Sequence, residues 1–504
     1  MDLSNIVSGN CANFRRRVRD AAPYGMFVER PLNYNLNPIS ERIIMLTKYI
    51  GDRAFIRRVL AVALPIMIQN AVTNFVSLLD NVMVGQVGTA PMSGVSIVNG
   101  ILFVFNMCVF GAASGPGIFT AQYFGNRDHE GVRHTFRFKL LILLALTLVG
   151  WAIFIPGGGW LIDLYLQGEG EVTAIEATRG YALDYLQIML IGMLPFALTN
   201  VYSSTLRETG QTVVPMAASA VAVVVNMSLN YVLIFGKLGL PALGSNGAAI
   251  ATVVSRFAEL AVVAGWTHLH PGRNPFIRGA FRSFRIPGAL CKNMCLKGLP
   301  LLVNEFFWAY GMAFLNQCYS TLGYDVVGAM NITRVLTDIS SVAFMAMGMS
   351  VGIIVGQLMG SGAGEAEIRD TDRKIITIAV LVCFIFGSLM AAFSGVFPLL
   401  YDTEDSVRNL ATQLICVGAA IMPFNAYTTA AYFTLRSGGK TAVTFLFDSC
   451  FVWAVIVPIA YCLSRFTDMS IVPLYICCQG TDLIKCVLGY VMIKKGTWIQ
   501  NLAQ

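Results

Sequence analysis

The chain has 504 residues, 56% of them hydrophobic and only 12% charged, with a formal net charge of +7. Soluble domains carry about 25% charged residues, so this chain has too little polar surface to stay in water. The composition also makes nucleic acid a poor explanation for the positive balance, and none is expected as a partner.

Apolar runs recur from Arg58 to Lys494, separated by short polar loops. Each has about the 20 residues a helix needs to cross a bilayer. A β-barrel is excluded, because its spans are alternating strands of about 10 residues. The 12 cysteines are scattered, mostly inside apolar runs, with no C-x-x-C among them, and read as reduced, buried thiols. His129, His134, His268 and His270 all fall in loops. No resident metal, cofactor or enzyme activity is therefore expected.

Residues 1–52 carry Arg15, Arg16, Arg17 and Arg19, then Pro23, Pro31 and Pro38, with no apolar core between. They read as a cytoplasmic tail, not a signal peptide. Ile43, Ile44, Leu46, Tyr49 and Ile50 suggest a short surface helix before Asp52 caps the first span. Six spans follow at 53–85, 92–122, 135–155, 180–206, 211–235 and 246–268, forming an N-lobe (53–268). A basic linker, 269–292, leads to spans at 293–322, 325–359, 373–397, 407–435, 440–463 and 468–493, a C-lobe (293–495). Residues 496–504 read as a C-terminal tail.

Loop charge orients the bundle. One side holds Arg127, Arg133, Arg137, Lys139, Arg207, the linker arginines, Arg369, Arg373, Lys374, Arg436, Lys440, Lys494 and Lys495. The other has few cations beside Asp163, Glu169, Glu171, Asp402, Glu404 and Asp405. The basic side is expected to be cytoplasmic, with both termini there.

The two halves repeat. At a constant offset of 235 positions (300 − 65), Leu64-Pro65 matches Leu299-Pro300, Gly88 matches Gly323, Gln122 matches Gln357 and Gly125 matches Gly360. Pro195-Phe196 matches Pro423-Phe424, and Thr205-Leu206-Arg207 matches Thr434-Leu435-Arg436. Both halves start on the same side, so the repeats are parallel and leave a cleft between two six-helix lobes. The fold class is all-α, a polytopic bundle of 12 transmembrane helices.

Charges in the hydrocarbon core are costly and mark candidate sites. Glu305 lies about 12 Å from the basic edge and Asp338 about 20 Å from the other, at 1.5 Å per residue. Asp80 is about 10 Å deep. Arg334 precedes Asp338 by one turn and shares its face. Arg256 with Glu259, and Asp482 with Lys485, read as structural pairs. Pro65 shares a helix with Asp80 and is the hinge candidate. The expected substrate cavity comprises Gln69, Asn74, Asn304, Trp308, Tyr310, Arg334, Asp338 and Asn425, with aromatic faces suited to flat cations.

The motifs ALPIMIQN, LLDNVMVGQVG, FGAASGPGIFTAQYFGNRD, TLRETGQT, GLPLLVNEFFW, NITR, VGQLMGSG and TLRSGG together resemble the multidrug and toxic compound extrusion (MATE) family over residues 53–495. The resemblance implies alternating access and export of organic cations by antiport with H⁺ or Na⁺. It puts Asp80 at the family's first-helix acid and Asn226 and Asn230 on its fifth-helix pair. Archaeal-type members carry an aspartate where this chain has Asn230. One bacterial subgroup has an aspartate at Asn425. Glu305 resembles the seventh-helix acid, nearer the proline than in many members. The implied coupling set is Asp80, Glu305, Asn226 and Asn230, with transient Na⁺ at either acid. A monomer in a bacterial plasma membrane is expected. A lipid-linked oligosaccharide flippase of the same superfamily is the alternative.

Overall fold

The computed structural model describes residues 48–166, 172–401 and 403–503. Residues 1–47, the tail and the first part of the expected N-terminal surface helix, therefore lie outside the described residues, while its end, Lys48–Ile50, is helical. Among the described residues, twelve helices are long and apolar enough to cross a membrane. They are α1 (Arg53–Gly85), α2 (Thr89–Gly125), α3 (His129–Tyr165), α4 (Val172–Glu208), α5 (Val213–Phe235), α6 (Gly244–Leu269), α7 (Gly288–Ser320), α8 (Tyr324–Gly360), α9 (Glu365–Phe393), α10 (Asp405–Ser437), α11 (Thr441–Phe466) and α12 (Ile471–Lys495). Among the described residues there is no strand. Asp52 caps α1, its carboxylate accepting from the Phe55 amide at 2.7 Å.

The third span differs from the sequence reading at both ends. The third span was expected to stop at 155, before Pro156-Gly-Gly-Gly. Instead α3 runs on to Tyr165. Inside a bilayer a chain cannot surrender backbone hydrogen bonds to solvent, so a glycine run stays helical when a neighbour packs on it. A side chain at Gly158 would lie 2.6 Å from Leu186 of α4. Separately, α3 and α9 begin several residues early, at His129 and Glu365. Arg133, Arg137 and Lys139 are thus helix residues, not loop charges. Arg137 is buried and donates to the carbonyls of Ala280 at 2.8 Å and Gly279 at 2.7 Å. These bonds pin the interlobe linker, with Phe276 buried, against the first lobe.

The lobes meet at the basic-loop end. There α2 crosses α7 through small residues, Gly111 and Gly115 against Leu302 and Gly298. The repeat then makes a reciprocal seam. Gly125 sits under the Gln357 carbonyl and Gly360 under the Gln122 carbonyl. The Gln122 amide donates across the lobes to the Ser437 carbonyl at 3.1 Å. Its counterpart Gln357 donates to the Glu208 carbonyl, the position equivalent to Ser437, at 2.8 Å. Further along, α1 follows α8, with Ile66 against Ala346 and Ile353. The last polar link between lobes is the Asn74 amide to the Asp338 carbonyl, at 3.2 Å. Past it, toward the acidic-loop end, the described residues make no hydrogen bond between lobes. Among the described residues the lobes are therefore hydrogen-bonded to each other at the basic end and not at the other.

The segment after α12 reinforces that junction and does not trail as a free tail. Trp498 is fully buried in the second lobe. The Leu502 amide donates to Gln122 Oε1 at 2.6 Å, and Gln122 Nε2 donates back to the Gln500 carbonyl at 3.1 Å. The Leu502 side chain packs against Phe119, Phe138 and Met294. Trp498→Ala would leave a large hole where both lobes are tied. Substitutions of this kind cost about 3–5 kcal/mol, so the unfolding midpoint in detergent is expected to fall, which scanning fluorimetry checks.

Candidate functional site

Each lobe carries a buried polar network, and the first is built around Asp80. That acid is on α1, about a turn and a half before the helix end at Gly85. Asn226 and Asn230 are one turn apart on one face of α5, and Asn230 reaches Asp80. The Asn230 amide donates to Asp80 Oδ1 at 2.5 Å and to Asn226 Oδ1 at 3.0 Å. Asn226 in turn donates to Thr252 Oγ1 of α6 at 3.3 Å. Asn230 is fully buried, and its own carbonyl oxygen has no partner. A small hard cation takes oxygen ligands, and a carboxylate beside an unpaired amide oxygen fits either that or a carboxyl proton.

Nearer the basic end, Gln69 donates to Ser219 at 2.9 Å, and Ser219 donates to Glu259 Oε1 at 2.5 Å. Arg207 donates to Gln69 Oε1 at 3.2 Å. This corrects the Arg256–Glu259 pairing read from sequence spacing. Glu259 is engaged by Ser219 of α5. Arg256 instead donates to the Gly192 carbonyl at 3.2 Å and lies 5.1 Å over the Phe196 ring. Lys139, fully buried, donates to Glu208, Ser204 and Thr205.

The second network centres on Asn304 and Glu305 of α7. Asn304 Nδ2 donates to Asp448 Oδ2 at 3.1 Å and to the Tyr432 hydroxyl at 3.4 Å. Its Oδ1 accepts from Ser449 Oγ at 2.8 Å. Tyr432 donates to Glu305 Oε1 at 2.9 Å. Lys485 closes the set, donating to Asp448 Oδ1 at 2.7 Å. The i, i+3 spacing had paired Lys485 with Asp482, but Lys485 turns to Asp448 on the neighbouring helix. Asp448 reaches it from a stretch of π-helical turns, Leu446–Cys450 and Val452–Ile456. Such turns rotate the helix face and recur at functional positions. Removing one partner of a half-buried ion pair leaves a stranded charge, at about 3–5 kcal/mol. Lys485→Met alone is expected to destabilise strongly, and Asp448→Asn with Lys485→Met to recover most of the loss, read as thermal midpoints in a double-mutant cycle.

The expected cation set is thus split between lobes. Asp80, Asn226 and Asn230 are joined, while Glu305 belongs to the other network. Of the expected cavity residues, Gln69 and Asn304 are buried in these networks. Asn74 joins the lobes through Asp338. Arg334 and Asp338 form a loose ion pair at 3.7 Å with both side chains mostly exposed. Arg334 therefore does not partner Glu305. Tyr310 stacks on Trp453 with centroids 5.3 Å apart, and Trp308 and Asn425 are half-buried. Pro65 sits inside an unbroken α1.

Sequence reasoning missed Asp372 of α9, which is 1% exposed. Thr434 donates to its Oδ1 at 2.6 Å, and Oδ2 has no partner. The signal was present: Asp372 lies at helical spacing between Ile368, Ile375 and Ile376, all buried. Glu208 was missed because it appeared to lie in a loop.

The MatE family model matches residues 65–232 and 300–462, one copy on each lobe. A probable multidrug resistance protein NorM of Thermotoga maritima is 23% identical over 447 residues, 88% of this chain and 93% of the relative. Another NorM, from Pasteurella multocida, is 26% identical, covering 88% and 89%. The probable multidrug resistance protein YoeA of Bacillus subtilis is 24% identical, covering 84% and 90%. Among solved structures, a multidrug resistance MATE family transporter in an outward-facing conformation superposes with a TM-score of 0.79 at 18% identity, covering 90% of this chain and 98% of the other. A MATE in a bent conformation gives 0.78 over the same shares. With a match in each half spanning most of the membrane region, the chain belongs to the MatE family of membrane transporters.

Proposed function

We propose that the protein is a secondary active exporter of organic cations in the bacterial plasma membrane, driven by inward movement of H⁺ or Na⁺. The basic-loop face is cytoplasmic, and the lobes alternate between closing there and closing at the opposite face. The observation that carries this reading is the pairing of lobes hydrogen-bonded to each other at one end only with a buried carboxylate network in each lobe. The relatives' naming as multidrug resistance proteins supports the substrate class. Nothing among them favours the flippase alternative.

In this reading Asp80 and Glu305 accept the coupling ion from the side away from the basic loops. Asn230 and Asn226 hold Asp80 in place, and Tyr432 and Asn304 hold Glu305. Loading biases the lobes toward one arrangement, while an amphipathic cation between them biases the other. Coupling requires only that each ligand distinguishes the two states. Uptake of ethidium into everted vesicles, whose lumen corresponds to the cell exterior, tests the function. Uptake that stops when ΔpH is collapsed assigns H⁺, and uptake that stops on Na⁺ removal assigns Na⁺. Persistence through both, with dependence on ATP alone, overturns the proposal.

A further inference from the structure

The repeat places two equivalent arginines, Arg207 at the end of α4 and Arg436 at the end of α10, around one cavity between the lobes. The cavity measures about 80 Å³ and lies just inside the Gln122–Gln357 seam, between the lobes. Arg436 is held by aromatics: its guanidinium carbon is 5.5 Å from the Phe110 centroid and 5.1 Å from that of Phe433. Among the described residues it makes no side-chain hydrogen bond or ion pair, and its Nη1 is buried without a partner. Among the described residues Arg207 makes only the Gln69 side-chain bond. The one acid in the wall, Glu208, is already engaged by buried Lys139. Two cations with unused donors therefore face a space whose carboxylate is neutralised. Burying an unpartnered guanidinium is costly, and a planar fork held between rings is pre-organised for an oxyanion.

We propose that this cavity binds the carboxylate of an amphipathic organic anion or zwitterion, between Arg207 and Arg436. The headgroup sits at the forks, and the apolar body extends up the cleft along Phe110, Met349 and Ile353. The assignment rests on the exporter reading and adds carboxylate-bearing molecules to its substrates. Arg436 is one turn along α10 from Tyr432, which donates to Glu305, so the experiment separates an effect on Glu305 from ligand binding.

The probes are rhodamine 110, which has a free carboxylate, and rhodamine 123, its methyl ester. Both are titrated by fluorescence polarisation into the full chain in nanodiscs. The wild type is expected to bind both. Arg436→Gln is expected to weaken rhodamine 110 by about tenfold or more, about 1.4 kcal/mol, with rhodamine 123 nearly unchanged, and Arg436→Lys to fall between because it keeps the charge and loses the fork. Retained rhodamine 123 binding also shows that the variant is folded. Equal weakening of both dyes makes Arg436 a counter-charge for Glu305 and overturns the site. Binding of inorganic phosphate without any rhodamine 110 binding makes it an inorganic anion site and overturns the organic assignment. In proteoliposomes, dye that is bound but never moved sinks the exporter reading alone and leaves the binding result standing.

Discussion

Asp80→Asn is expected to abolish gradient-driven efflux while leaving the protein folded and able to bind a cationic dye. The amide has the same shape as the carboxyl and still faces Asn230, which donates to Asp80 Oδ1 at 2.5 Å. What it loses is the charge and the exchangeable proton. Glu305→Gln is the parallel case in the second lobe, where Tyr432 still has an oxygen to donate to. Coupling energies of about 1–3 kcal/mol correspond to about 5- to 150-fold, so initial efflux rates should fall by at least about tenfold in each variant. Dye affinity in the absence of a gradient should change far less. Efflux from proteoliposomes under an imposed gradient measures the first, and polarisation titration the second. Unaltered, gradient-dependent efflux in both variants removes these acids from the mechanism.

The seam between lobes leads to a second large effect. A side chain at Gly125 would begin 1.9 Å from the Gln357 carbonyl oxygen, and one at Gly360 begins 1.9 Å from that of Gln122. Backbone atoms cannot give way as a flexible side chain can. Gly125→Leu and Gly360→Leu should therefore exclude the arrangement described here and hold the basic end apart. Overpacking costs about 1–3 kcal/mol where neighbours adjust, and here they cannot. Both variants should show the same phenotype, because the repeat makes the positions equivalent: efflux lost, and a cysteine at Ser437 newly reactive to thiol reagents from the basic side. Gly157→Leu is the control, since nothing lies within 4 Å of a side chain there. Efflux at the wild-type rate in either seam variant contradicts the requirement for closure.

The bundle was legible because its signals are long. Twenty-residue apolar runs and a repeat holding a 235-position offset from Pro65 through Gly125 leave few alternatives. The acids on α1 and α7 stood out for the same reason, as isolated charges in apolar runs. Partners were less legible. Spacing along one helix suggested Asp482 for Lys485 and Arg256 for Glu259, yet both choices are made between helices, by Asp448 and Ser219. A π-helical stretch turns Asp448 inward, and nothing in the local sequence announces it. Asp372 was hidden by a boundary drawn too late, at 373, and Lys139 by being counted with the loop charges, since a charge assigned to a loop raises no question about its partner. The reciprocal seam needed both kinds of information, the repeat from sequence and the apposition from structure.

The account stands or falls on whether the basic end opens during transport. Asn126 and Ser361 are equivalent in the repeat, exposed, and at the ends of α2 and α8 beside the seam. Spin labels at these two positions, in a background lacking reactive native cysteines, report the separation of the lobes there by pulsed dipolar spectroscopy. The account predicts a short distance when the coupling ion is in excess, and a second, longer distance that grows when the ion is removed and a cationic substrate added. A single distance, unmoved by ion or substrate, contradicts it.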